Sequence, residues 1–341
     1  MKHLYQYLAP PESGKKMKLG KICPEKLQRL VFPYQGKVRP EILYNASLGR
    51  DCGIADLGGD LLAATCDPIT GTSSHLGFFA VNVVANDLIC GGAEPVAILV
   101  SLILPPGTPD THIEEIMKEI DEECQKLQIS VLGGHTELSD AVNRTIIHCS
   151  GIGRAQKGNL PDVEKVRPGD SIVITKGAGI EGTAILAHSH QESLQKKYGD
   201  FFVTRSQDFL RFLSVVPEGK IALPFQPHCL HDATEGGLLG ALWEVCEGQK
   251  LGFEIEESAI FIPPETRELC DFFGMDPLKL ISSGTLIIFT DEPEPVMAHL
   301  TQAGIPSFQI GTIAREKDKI IKKPPGTRET ITECPRDELW R

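Results

Sequence analysis

The chain of 341 residues contains no apolar run approaching the ~20 residues that cross a bilayer. Its opening stretch, MKHLYQYLAPPESGKKMKLG, lacks the apolar core of a secretory signal. None of its 10 cysteines pair in a CxxC arrangement, which argues against a zinc knuckle or a dithiol redox site. Several fall on apolar faces, so reduced, buried thiols in a cytoplasmic protein are expected. Positive charge is scarce as well. Lys and Arg number 34 against 46 Asp and Glu, a net charge of -12, and neither nucleic acid nor a membrane is expected as the main partner. A polyanionic substrate would need a metal ion or helix N-termini to offset the repulsion. There is no GxxxxGK[ST] phosphate loop, and no GxGxxG stands in a clean strand–helix unit with its distal acid.

Glycine (33) and proline (24) are plentiful, so turns and backbone-lined sites should be frequent. The stretch 81–104, VNVVANDLICGGAEPVAILVSLIL, reads as a helix that Pro95 closes, followed by a fully buried strand over 96–104. Asn86 and Asp87 interrupt its apolar run, where an unpaired carboxylate is costly. Strands near 54–57 and 61–66 meet at a Gly58-Gly59 turn, which brings Asp51 and Asp67 toward one end. A short helix is expected over 27–32. Thr111 with Glu114 forms a capping box for the next helix. A strand at 129–132 runs into a GGHTEL loop, and another strand covers 145–151.

The polar stretch 154–169 marks a domain boundary. Beyond it the pattern gives strands at 171–175, 253–256, 285–289 and 307–313. Helices are expected from 182 and over 238–246, 264–273 and 294–302, with 190–205 exposed. The layout is α/β or α+β. It comprises a flexible extension (1–16), an N-terminal domain (17–157), a C-terminal domain (158–316) and a charged tail (317–341).

Three glycine loops follow or precede regular elements. They are Gly133-Gly134-His135-Thr136-Glu137, Lys176-Gly177-Ala178-Gly179-Ile180-Glu181-Gly182 and Asp232-Ala233-Thr234-Glu235-Gly236-Gly237. Glycine lets a backbone approach a ligand and present N–H groups, and a helix N-terminus favours phosphate; equally, such loops often only turn. Asp51, Asp67, Asp87 and Asp232 stand at strand ends or beside small residues. Converging, they would hold Mg²⁺ with substrate phosphates; apart, they are four turn or cap aspartates. His135 is either a phosphate donor or general acid, or a turn histidine. Glu137 is a ligand or base, or a solvated strand end. Cys334 is a mobile nucleophile or an inert thiol.

The ordered motifs TCDPITG, ANDLICGGAEP, VLGGHTE, VITKGAGIEGT and HDATEGGLLGALWE resemble the superfamily of aminoimidazole ribonucleotide (AIR) synthetase and the hydrogenase maturation factor HypE. Selenophosphate synthetase and thiamine-monophosphate kinase belong to it too. The likeness spans about 17–313 and is nearest the HypE branch. It implies two α/β domains, with N-terminal sheets of two subunits pairing into a barrel and so a homodimer. ATP would lie between the domains, with Mg²⁺ on Asp51, Asp67 and Asp87, and Asp232 as the second-domain acid. Asn86, Gly133, Gly134, Thr136, Lys176, Gly177, Gly179 and Gly182 would serve the nucleotide, and His135, Glu137 and Glu235 the chemistry.

The implied reaction is phosphorylation of an amide-like or carbonyl oxygen. In HypE the acceptor is a carboxamide on its own C-terminal cysteine, which makes a carbamoyltransferase a possible partner. The alternatives are an altered nucleotide-binding assembly factor and a small-molecule kinase or ligase. Two departures stand out. Many relatives carry Asp where this chain has His135. The HypE pattern also ends in cysteine, whereas six residues follow Pro335 here.

Overall fold

The computed structural model describes residues 19–158 and 160–340; the extension expected over 1–16 lies outside them. A mixed α/β, two-domain architecture is built on a six-stranded and a seven-stranded sheet. The first unit holds α1 (Pro24–Leu30), β1 (Ile42–Tyr44), β2 (Gly53–Asp56), β3 (Leu61–Ile69), α2 (Leu76–Cys90), β4 (Glu94–Leu104), α3 (Asp110–Leu127), β5 (Ser130–Leu138) and β6 (Ile146–Ala155). Its strand order is β1-β2-β3-β6-β4-β5, an open sheet within the chain. Gly58 and Gly59, both at positive φ, make the expected turn between β2 and β3.

Four local expectations are corrected here. Pro95 does not close α2. The helix stops at Cys90 with Gly91 as its cap, and Pro95 lies in β4 at a register shift against β6, where its missing N–H is tolerated. Nor is β4 buried on both faces, since Val96 and Leu99 are exposed. The Thr111–Glu114 capping box does not form. α3 starts at Asp110 behind Pro109, with no side-chain cap; the fixed φ of Pro109 and the Asp110 carboxylate near the positive helix end favour that start. Finally, GGHTE is strand, not loop. It continues β5, which pairs parallel to β4 as the exposed edge of the sheet.

The second unit comprises β7 (Ser171–Thr175), α4 (Ile180–Ser189), α5 (Gln191–Tyr198), α6 (Asp200–Gln207), α7 (Val216–Ala222), β8 (Cys229–Asp232), α8 (Gly237–Gln249), β9 (Gly252–Glu256), α9 (Pro264–Phe273), β10 (Leu286–Thr290), α10 (Pro293–Gln302), β11 (Ser307–Ala314), β12 (Lys319–Lys323) and β13 (Thr327–Ile331). The sheet runs β13-β12-β9-β11-β7-β10-β8. β7 and β10 are buried throughout, which fits their continuous apolar runs. Residues 190–205 are not simply exposed. They form α5 and most of α6, which bury Leu194 and Val203. The expected charged tail likewise joins the fold. β12 pairs with β9, Ile321 is buried, and Lys319 packs its ammonium 4.2 Å from the Trp243 ring centroid.

α2 is apolar around nearly its whole circumference because both units cover it. It packs on α3, β3 and β6, and also on α7 and β8. Its polar residues are matched to partners. The Asn82 amide donates to Glu123 at 3.0 Å. The Asn86 amide donates to the Leu213 carbonyl at 2.9 Å and its oxygen accepts from the Val215 N–H at 2.8 Å. Asn86 thus ties the first unit to the chain leading into α7. Asn86→Ala should lower stability by roughly 2–4 kcal/mol by orphaning two buried backbone groups; urea denaturation measures it, and an unchanged midpoint would contradict the bridging role.

Candidate functional site

A cleft of about 750 Å³ is lined by residues of both units. Asp51 enters it from the loop before β2, Asp67 from β3, Asp87 from α2 and Asp232 from the end of β8. The four aspartates therefore converge. The Thr65 hydroxyl donates to Asp87 Oδ2 at 2.5 Å, and Asp67 and Asp87 share a hydrogen bond. Asp51 Oδ1 lies 2.6 Å from His231 Nδ1. Asp232 is 1% exposed, and neither of its carboxylate oxygens accepts a hydrogen bond from another residue.

Burial, and then the neighbouring carboxylates, push Asp87 well above the usual carboxylate range. Burial also raises Asp67. Burial and Asp51 raise Asp232 to about 8. Burial opposes charge on His231, but Asp51, Glu244 and Asp232 outweigh it and lift the imidazole to about 9. Carboxylates this close ionise together only with positive charge among them. A set of hard oxygens, two of them buried and unpartnered, fits a divalent cation.

The remaining expected residues divide. Glu235 lines the cleft and accepts from the Lys21 N–H at 2.5 Å. Gly133, Gly134, His135, Thr136 and Glu137 lie on the outer edge strand, away from the residues lining the cleft. His135 Nε2 and Glu137 Oε2 stand 3.1 Å apart, both exposed. Gly134 is needed because a Cβ there would run into the Val100 carbonyl of β4.

Lys176, at φ 62, is inside the protein. Its Nζ lies 2.6 Å from Glu218 and donates to the Phe212 and Ser214 carbonyls at 2.8 Å. The amides of its loop are engaged too. Gly177 donates to Thr175, Gly179 to Ser282 and Gly182 to Ile281. Asn86 is absorbed by the bridge described above.

The cleft also holds residues that the sequence pattern did not single out. Glu181 in the first turn of α4, His231, Glu244 on α8, Arg144 and Lys21 all line it. Lys21 Nζ lies 2.8 Å from Glu244, whereas Arg144 has no carboxylate partner among the described residues. Among these, His231 had a sequence signal, its place immediately before Asp232. A second cavity of about 650 Å³ adjoins the cleft, sharing Lys21, Glu235, Glu244 and Trp340, and is lined further by residues 332–337. Asp337 fixes this segment by accepting from the Gly236 N–H at 2.7 Å, at the start of α8.

Models of the AIR synthase related protein family match this chain over residues 49–155 (N-terminal domain) and 167–323 (C-terminal domain). The chain belongs to that family. It is 32% identical over 224 residues to a hydrogenase expression/formation protein of Methanocaldococcus jannaschii, covering 66% of this chain and 64% of the relative, just under two thirds of its length. It is 25% identical over 285 residues to carbamoyl dehydratase HypE of Rhizobium leguminosarum bv. viciae, covering 80% and 79%.

Among solved structures, HypE in a HypE–HypF complex superposes with TM-score 0.74 at 22% identity, covering 90% of this chain and 99% of that one. HypE in complex with ATP gives 0.70 at 21%, covering 93% and 96%. AaThiL with AMPPCP and TMP gives 0.72 at 17%, covering 93% and 99%. These structures share the fold. Among the described residues no helix is long and apolar enough to cross a membrane.

Glu181 offers a pH test. Burial, with Asp337 and Glu235 nearby, lifts it to about 7 against hydrogen bonding from Ser283. The folded chain then holds a proton that the unfolded chain has released. The stabilisation is complete below about pH 4.5 and is lost as pH rises through about 7, a change on the order of 3 kcal/mol. Glu181→Gln should flatten the fall in stability of the ligand-free protein between pH 5 and 8 (~3 kcal/mol). An unchanged slope in denaturation series across that range would contradict this.

Proposed function

We propose that the chain is a Mg²⁺- and ATP-dependent enzyme of HypE-like type that transfers a phosphoryl group to an amide-like or carbonyl oxygen. The observation that carries the reading is the convergence of Asp51, Asp67, Asp87 and Asp232 in one cleft, with both oxygens of buried Asp232 unpartnered. Magnesium held by these carboxylates would neutralise charge on the triphosphate and on the transferring group.

The residues of the chain do the positioning. Arg144, without a carboxylate partner among the described residues, would meet phosphate oxygens. Glu244 holds Lys21 at the junction of the two cavities, where the ammonium would face the γ-phosphate or the acceptor. The second cavity has the size of a small-ligand site and would admit the acceptor beside the nucleotide. Alignment of the two reactants then supplies much of the rate.

Cys334 lines that second cavity, but burial and then Glu244 push its thiol up to about 12. A thiol so far from its thiolate is a poor self-modification site, which favours an acceptor brought from outside. A maturation partner protein, as HypF is to HypE in their solved complex, would suit delivery of that acceptor. The exposed apolar face of β4 (Val96, Leu99) and the open edge β5, with Val131, Leu132 and Leu138 exposed, support pairing with a second copy into a homodimer. His135 and Glu137 lie on that edge, and would reach a nucleotide only across such an interface.

Asp87→Ala should lower Mg²⁺-dependent ATP turnover by about 100-fold or more, the scale for removing a major electrostatic contributor. Turnover assays with and without candidate acceptors check this, and undiminished ATP binding and Mg²⁺ dependence would refute the site. Leu132→Glu should convert a dimer to monomers in sedimentation velocity; a dimer unaffected by that charge would remove the edge-pairing model.

A further inference from the structure

Cys90, in the last turn of α2, is 2% exposed, and among the described residues its thiol has no hydrogen-bond partner. A buried cysteine ordinarily packs as a small hydrophobe. This one faces carboxylates. One ligand atom each from Asp51, Cys90 and Asp232 lie within 4.8 Å of one another. The side chain of Asp232, 1% exposed with both oxygens unpartnered, points to a ligand there.

We propose that Asp51, Cys90 and Asp232 form an inner cation site that takes a thiophilic divalent ion such as zinc in preference to magnesium. The inference deepens the cleft reading above and rests on it for the ion's path, because Asp51 and Asp232 line the cleft while Cys90 does not. Magnesium takes hard oxygen ligands and holds its waters. A thiolate beside two carboxylates is a borderline-soft set that suits zinc or cobalt. Asp67 and Asp87, bonded to each other, would then serve the nucleotide's magnesium, with Asp51 and Asp232 shared between the two ions. His231, 2.6 Å from Asp51 Oδ1, is placed to orient that carboxylate from outside the ligand set. Burial, and then Asp232 and Asp51, push the Cys90 thiol well above its usual range, so a cation has to displace its proton to solvent and affinity should rise with pH.

The test is cobalt titration of the chelator-stripped full chain, followed by the thiolate-to-cobalt charge-transfer absorption. The band should appear in the wild type, persist in Cys66→Ser and vanish in Cys90→Ser, with affinity weakened by about tenfold or more. Cys66 is the control because it is exposed beside Asp67 in the same cleft. Zinc X-ray absorption of the unmutated protein needs no variant, and should show one sulfur at about 2.3 Å. A band lost in Cys66→Ser but kept in Cys90→Ser, or a zinc shell without sulfur, overturns the proposal. Mg-ATP binding is measured separately by calorimetry. A cobalt band without ATP binding upholds the inner site while removing the nucleotide reading.

Discussion

Carboxylates gathered in one cleft repel one another and resist ionising unless positive charge sits among them. Asp51, Asp67, Asp87 and Asp232 are in that position. Within the chain their counter-charge comes from His231, against Asp51, and from Lys21, which is engaged by Glu244. On the reading proposed above, an acidic chain would take up a triphosphate through an ion held among these carboxylates. The surrounding fold can be understood as what keeps that unfavourable cluster in place.

Chief among the supports is α2, a helix covered by both units. Because it has almost no solvent-facing side, its polar residues must each be satisfied. Asn82 and Asn86 are satisfied by protein groups, and Asp87 by Thr65 and Asp67. The asparagine bridge to Leu213 and Val215 fixes the second unit against the helix that carries Asp87. The end of the chain contributes as well. Asp337 caps the start of α8 and holds residues 332–337 against the second cavity, so the C-terminal segment is a wall of the site.

Much of the site was legible because its residues break local rules. A carboxylate inside an apolar helix is anomalous without a partner, which exposes Asp87. A hairpin with glycine at its turn relates Asp51 to Asp67 by simple geometry. Glu181, Glu244 and Arg144 carry no such mark, since charged residues on helices and loops are ordinary until packing buries them. The glycine motifs are read differently, because packing within the protein already uses them. Gly134 serves the close approach of β5 to β4, and the amides after Lys176 bond within the protein. Sequence shows that a backbone is bare there, but not whether ligand or protein fills the space. β12 and β13 were hidden for a related reason, because charged residues cover a strand pair whose buried contact is chiefly Ile321.

The central claim is that this cleft binds a triphosphate only through a cation. Calorimetric titration of ATP into the metal-stripped protein, with magnesium and then with excess chelator, tests it directly. Saturable binding with magnesium and none with chelator is the predicted result. Equal affinity under both conditions would contradict the account, for the aspartates would then have no ion to share with the nucleotide.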